Sequence, residues 1–151
     1  MSDQEISPAP AAEEPRRMRL QGLHHLTAIV RDLDRTTEFY RDVLGLALVE
    51  AGRNDDDPDA RLFWFGDAAG TPGTLISFME YPSMEEATQG RGGVHHFAFL
   101  VSGRDELQAW RSYLEDHGVA VSELYDRRQF SSIYFRDPDG HLIELGTPLN
   151  R

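Results

Sequence analysis

Two stretches of the chain carry the same order of polar and apolar positions. Gly22-Leu23-His24-His25-Leu26-Thr27-Ala28-Ile29-Val30 and Gly93-Val94-His95-His96-Phe97-Ala98-Phe99-Leu100-Val101 both read Gly, apolar, His, His, apolar, small, apolar, apolar, Val. The second starts 71 residues after the first, so the chain contains an internal repeat. Each copy is followed by a helical pattern. In the first, Asp32 or Asp34 can cap the helix, Phe39 and Val43 share a face, as do Tyr40 and Leu44, and Gly45 stands at the stop. In the second, Leu107, Trp110 and Leu114 form the stripe and Gly118 the stop. Short extended runs come next: residues 46–51, 61–65 and 74–80, then 119–125, 130–136 and 141–146. Turn chemistry separates them, at Asp55–Asp59, Gly70–Gly73 and Asp137–Gly140. The pattern predicts βαβββ twice, an α+β fold in which two modules form a curved, open barrel around a cavity. The partner of each module comes from the same chain or from a second one.

The boundaries follow. Residues 1–19, rich in Pro, Ala and Glu, read as a disordered tail. Residues 20–148 form a single domain, with module one at 20–80, a polar linker at 81–92 and module two at 93–148. The 151 residues suffice for one core. No apolar run approaches the roughly 18 residues of a membrane helix. The N-terminus lacks the basic start and apolar stretch of a secretory signal, so a cytoplasmic protein without a membrane partner is expected. With no cysteine, disulfides and thiolate ligands are excluded. A net charge of −11 argues against a nucleic-acid partner, because a phosphate backbone needs a basic face.

Four of the six histidines lie in the two doublets. Strand alternation separates the neighbours. His25, Thr27 and Ile29 share one face, His24, Leu26, Ala28 and Val30 the other. In the second copy His96, Ala98 and Leu100 oppose His95, Phe97, Phe99 and Val101. The more apolar side packs under the helix, which turns His25 and His96 toward the cavity. Glu144 stands in the apolar run Leu142-Ile143-Glu144-Leu145, where burying an unpaired carboxylate is costly. Two imidazoles and a carboxylate with open positions suit Fe(II), and Mn(II) less exclusively. Other residues take plainer roles. Asp137–Gly140 sets a hairpin, His117 sits at a helix end, His141 is expected to be exposed, Asp55–Asp59 to be a solvated loop, and Phe39, Tyr40 and Trp110 to be core.

These residues resemble the vicinal-oxygen-chelate superfamily, which includes glyoxalase I, fosfomycin-resistance proteins and extradiol dioxygenases. The marks are His25-Leu-Thr at the first strand, Phe39-Tyr40-Arg-Asp-Val-Leu-Gly45-Leu at the first helix, and Phe135-Arg-Asp-Pro-Asp-Gly-His-Leu-Ile-Glu144 at the last hairpin. In that superfamily the metal ligands fall where this chain has His25, His96 and Glu144. Ser77 stands where glyoxalase I has a fourth ligand, and one phosphonate-binding arginine of the fosfomycin enzymes would fall beyond residue 151. Within the superfamily the chain most resembles hydroquinone ring-cleaving dioxygenases, through His24-His25-Leu-Thr27, Asp56-Asp57-Pro58, Gly70-Thr-Pro-Gly73-Thr, Arg127 and Tyr134. That resemblance implies an Fe(II) or Mn(II) dioxygenase that cleaves a hydroquinone- or catechol-like ring with O₂. It gives His24, Thr27, Arg127 and Tyr134 roles around substrate. Those enzymes usually carry two such halves, so a homodimer is expected here. The alternatives are a glyoxalase-like isomerase, lyase or transferase, and a metal-free protein that binds aromatic drugs.

Overall fold

The computed structural model describes residues 8–11 and 18–150; most of the tail expected at 1–19 lies outside them. Module one runs β1 (His25–Val30), α1 (Leu33–Thr37), a π-helical continuation over Glu38–Val43, β2 (Ala47–Asn54), β3 (Asp57–Gly66) and β4 (Leu75–Glu80). Module two runs β5 (Phe97–Leu100), α2 (Arg104–Asp116), β6 (Tyr125–Asp126), β7 (Ser131–Arg136) and β8 (Leu142–Gly146). Each forms a four-stranded sheet, in the orders β1-β4-β3-β2 and β5-β8-β7-β6. In both, the first and last strands pair parallel and the remaining pairs are antiparallel. The fold is the expected α+β pair of βαβββ modules.

The helices start and stop for local reasons. The Asp32 carboxylate accepts the backbone N–H groups of Asp34 and Arg35 at 2.9 and 3.4 Å, which satisfies two otherwise orphan donors. Downstream the helix widens: the N–H of Leu44 donates to the carbonyl of Phe39 at 2.9 Å, five residues back. The wider turn buries the neighbours Phe39 and Tyr40 together. Gly45, at φ +79°, then takes a left-handed conformation that a side chain would strain. Along α2, Leu107 and Leu114 are fully buried and Trp110 packs at the margin.

Two stretches differ from expectation. Residues 119–124 run beside β7 without becoming a strand. The Ser122 N–H donates to the Tyr134 carbonyl, but the Tyr134 N–H donates to the Ser122 hydroxyl rather than to a backbone carbonyl. A side chain has taken one rung of the ladder, and regular pairing survives only at Tyr125–Asp126. In module one the β2–β3 hairpin is longer than the charge pattern suggests. Asp57, Pro58 and Asp59 lie in β3, and the Asn54 side chain closes the turn by accepting the Asp56 N–H at 3.0 Å.

One apolar core serves both modules, with Phe39, Tyr40, Phe65 and Phe78 from module one and Ile133, Phe135, Ile143 and Leu145 from module two. A buried polar hub joins them. The Asp137 carboxylate accepts the Tyr40 hydroxyl at 2.7 Å, the His141 ring at 2.6 Å, and the N–H groups of Asp139 and His141 at 3.0 and 2.9 Å. Next to it, Asp139 accepts the Arg31 N–H and an Arg35 guanidinium N–H at 2.8 and 3.1 Å. His141 is therefore half-buried and bonded, where exposure was expected; the turn that sets the hairpin also folds its imidazole back onto Asp137. That bond raises the His141 pKa, against the opposing effect of burial. Burial first, and then the Asp137 charge, push the Tyr40 phenol well above its ordinary value. Among the described residues no helix is long and apolar enough to cross a membrane.

Candidate metal centre

The face of each sheet opposite its helix carries the chemistry. Along β1 the exposure alternates as the sequence predicts: Leu26, Ala28 and Val30 turn inward, while His25, Thr27 and Ile29 stay exposed. β5 repeats this, with Ala98 and Leu100 on the open side. His96 precedes β5 by one residue and shares the parity of Ala98.

Module two gathers four of the residues that the sequence singles out. Ala98 and Tyr134 both stand in register with Glu144, on the strands flanking it. His96 Nε2 lies 3.5 Å from Glu144 Oε1, and the His96 and Tyr134 rings are 5.9 Å apart. Glu144 is 5% exposed, and its Oε2 is buried without a hydrogen-bond partner. A carboxylate oxygen removed from water and left unpaired is costly. An imidazole nitrogen beside it completes a donor pair suited to a divalent cation. Arg127 extends the group: its guanidinium donates to the Tyr134 hydroxyl at 3.0 Å.

Module one presents the repeat-equivalent residues on its own sheet. The Thr27 and Ser77 hydroxyls share a 2.7 Å hydrogen bond in the row Thr27–Ser77–Trp64. Trp64 meets the His25 ring edge-on at 4.8 Å. The two histidine doublets behave alike. His24 and His25 face each other through Nδ1 at 2.9 Å, and so do His95 and His96. In each pair one ring carries the shared proton and the other accepts it. When His25 or His96 is the ring that donates through Nδ1, its Nε2 is left unprotonated and able to ligate.

The structure thus brings His96, Glu144, Tyr134 and Arg127 together, and separately His25, His24 and Thr27. It does not bring the two sets together within one chain: among the described residues no three His, Asp or Glu side chains lie close enough to hold an ion jointly. Sequence reading gave Trp64 and Tyr125 no role at this face. Register could have found Trp64, which shares the parity of Ser77 across the sheet. Tyr125, two residues before Arg127, lies on a strand that the sequence pattern mis-measures.

Comparison with known proteins fits this architecture. The chain is 38% identical over 106 residues to MhqE of Bacillus subtilis (strain 168), which is named as a ring-cleaving dioxygenase; the match covers 70% of this chain and 35% of that one. It is 30% identical over 130 residues to the metallothiol transferase FosB of Staphylococcus epidermidis, covering 85% and 84%. A crystal structure from Bacillus subtilis subsp. subtilis str. 168, titled as a dioxygenase, superimposes with a TM-score of 0.78 at 33% identity, over 85% of this chain and 41% of that one. The chain spans 40% or less of the length of the curated ring-cleaving relatives it matches. Residues 22–145 match the family model of the Glyoxalase/Bleomycin resistance protein/Dioxygenase superfamily, and the chain belongs to that superfamily.

Proposed function

We propose that this protein is a metal-dependent dioxygenase that cleaves a dihydroxylated aromatic ring. In this reading it works as a two-fold dimer, in which His25 of one copy joins His96 and Glu144 of the other around Fe(II) or Mn(II). The observation that carries it is the buried, unpartnered Glu144 oxygen beside His96 Nε2, with an equivalent histidine presented on the repeat module but not in reach within the chain. Repeat-equivalent apolar side chains support the dimer. Leu23 and Val94 are 82% and 67% exposed, Ile29 and Leu100 43% and 76%, and a second copy would cover them. The relatives named as ring-cleaving enzymes support the chemistry.

When bound, the metal would supply Lewis acidity toward a phenolic oxygen and a place for O₂ beside it. The chain's own residues do the rest. The Tyr134 hydroxyl, held by Arg127, exchanges a proton or hydrogen bond with a substrate oxygen. The Arg127 guanidinium offsets anionic charge on the ring. The Thr27–Ser77 bond keeps two hydroxyls in place on the facing half. His24 orients His25 through Nδ1.

One observation favours a second reading, a metal-dependent transferase: FosB matches over nearly its whole length, unlike the ring-cleaving relatives. Against it stands the sparse positive charge, since Arg127 is the one guanidinium bonded to the Tyr134–Glu144 row among the described residues. Oxygen uptake decides. Protein loaded anaerobically with Fe(II) is given hydroquinone, methylhydroquinone and catechol, with His96→Ala as control. Uptake lost in the variant supports the dioxygenase. Metal held at one ion per site with no uptake, and with a thiol adduct formed on fosfomycin, replaces it with the transferase.

A further inference from the structure

We propose that Tyr125 is a positioning residue of this site. Its ring, with that of Tyr134, stacks the Arg127 guanidinium into the orientation that meets an oxyanion on a ring bound beside His96 and Glu144. The inference rests on the reading that the His96–Glu144 half is where substrate binds.

The guanidinium carbon of Arg127 lies 5.2 Å from the Tyr125 ring centre and 5.4 Å from that of Tyr134, within cation–π range of both. The two rings are 6.0 Å apart and inclined at 62°, so they form two walls of one corner. None of the ion pairs among the described residues involves Arg127. Its charge is held by aromatic faces and by the Tyr134 hydroxyl, and among the described residues no carboxylate competes with a substrate anion for it.

The corner is anchored from outside. Asp126, the other residue of β6, accepts two guanidinium N–H bonds from Arg104 of α2, at 3.0 and 3.1 Å, and the Ser131 hydroxyl at 2.7 Å. The Arg127 N–H donates to the Phe130 carbonyl at 2.8 Å, closing the turn. The backbone on both sides of Arg127 is thus pinned, and the Tyr125 ring limits its side chain. An arginine loses considerable rotamer freedom when it grips an anion, and stacking removes part of that loss before substrate arrives. Tyr125 is 39% exposed on an edge strand, so its side chain can be changed without opening the core.

The test uses the full chain with Tyr125→Leu and Tyr125→Phe. The first readout is the NMR resonance of the Arg127 Nε–Hε group in metal-free protein, which the two rings shift upfield. The second is binding of 4-nitrocatechol to the Fe(II)-loaded protein without O₂, followed by absorbance. The expected result for Tyr125→Leu is a loss of the upfield shift larger than the Tyr125 ring alone supplies, because Arg127 also leaves the Tyr134 ring, and roughly 2- to 5-fold weaker probe binding, the range of a cation–π contact at an exposed site. KM for a turned-over ring should rise by a similar factor with kcat changed less than about twofold, and Tyr125→Phe should restore all three. An Arg127 resonance that loses no more than the Tyr125 ring's own share in Tyr125→Leu overturns the proposal whether or not the probe binds. A parent protein that binds no catechol, but whose Arg127 resonance shows the larger loss in Tyr125→Leu, removes the ring-cleaving reading and supports the role of Tyr125.

Discussion

Removing the Tyr40 hydroxyl should loosen the joint between the modules by an amount the hydrogen bonds allow one to estimate. Tyr40 is fully buried, and its hydroxyl donates at 2.7 Å to a carboxylate whose side chain has no exposure. Tyr40→Phe keeps the ring and its packing against Phe78, whose centre is 4.6 Å away. A hydrogen bond to a charged acceptor contributes about 1.5–3 kcal/mol. Asp137 would retain the His141 ring and two backbone N–H donors, so the lower part of that range applies. At about 2–4 °C per kcal/mol for a protein of this size, a 1.5–2 kcal/mol loss lowers Tm by roughly 3–8 °C. Asp137→Ala removes the acceptor for all four donors and strands a buried hydroxyl, for which a loss of about 3–5 kcal/mol is expected. The assay is thermal and urea unfolding at one fixed protein concentration, because association would shift both midpoints. Tyr40→Phe introduced into Asp137→Ala should recover part of that loss, since it removes the stranded hydroxyl with no bond left to break. A Tyr40→Phe protein within about 0.5 kcal/mol of the parent, or full additivity of the two changes, would refute the view that this bond joins the modules.

Other outcomes follow from the same structure. The folded-state pKa of His141 is raised, chiefly by its hydrogen bond to Asp137, so its stabilisation is complete below the unfolded value near 6.5 and fades as pH climbs through the folded value. Unfolding free energy measured from pH 6 upward should show that decline in the parent and lose it in His141→Gln. Gly66→Ala would place a methyl 2.8 Å from a Leu75 side-chain carbon and 3.2 Å from the Thr74 carbonyl, and about 1–3 kcal/mol of destabilisation is expected in urea melts. Arg61 holds Glu80 at 2.7 and 3.0 Å, and Glu80 in turn accepts the Leu33 N–H at 2.8 Å; Arg61→Ala should raise the Glu80 pKa toward the ordinary carboxylate range, seen by NMR titration.

The repeat made the architecture legible, because two copies of one hydrophobic pattern fix topology better than either copy alone. Alternation also chose the open faces correctly, since a strand with one buried side leaves no freedom in parity. What alternation could not give was the distance between faces. His25 and His96 follow the same rule in their own sheets, yet which sheets confront each other depends on how modules pack. Periodicity within a strand says nothing about that. His141 was misjudged for a related reason. A residue after a tight turn is usually solvated, but here the partner that folds it back is Asp137, whose other bond reaches Tyr40 across the module boundary. Residues 119–124 failed as a strand because the Ser122 hydroxyl took a backbone rung, a substitution visible only once Tyr134 lies opposite it.

Two buried carboxylates in module two show how fold and site can be told apart. Asp137 and Glu144 are 6% and 5% exposed, and both lie beside a histidine. Asp137 has both oxygens bonded, to four donors on three residues, and every bond contributes to the turn or to the joint with module one. Its chemistry is complete within the chain. Glu144 has one oxygen near His96 and one with no partner, on the sheet face shared with Ala98 and Tyr134 and opposite the core residues Ile143, Leu145 and Ile133. Leucine in its place would fit that sheet without an unpaired charge, and replacing buried ionic groups by apolar ones is often neutral or stabilising. Glu144 therefore holds a position in which it weakens the isolated chain, and in the proposed site a cation at Oε2 would offset that loss. In the proposed dimeric metal site, the stabilising role of Glu144 is therefore expected in the ion-loaded dimer and not in the ligand-free protein.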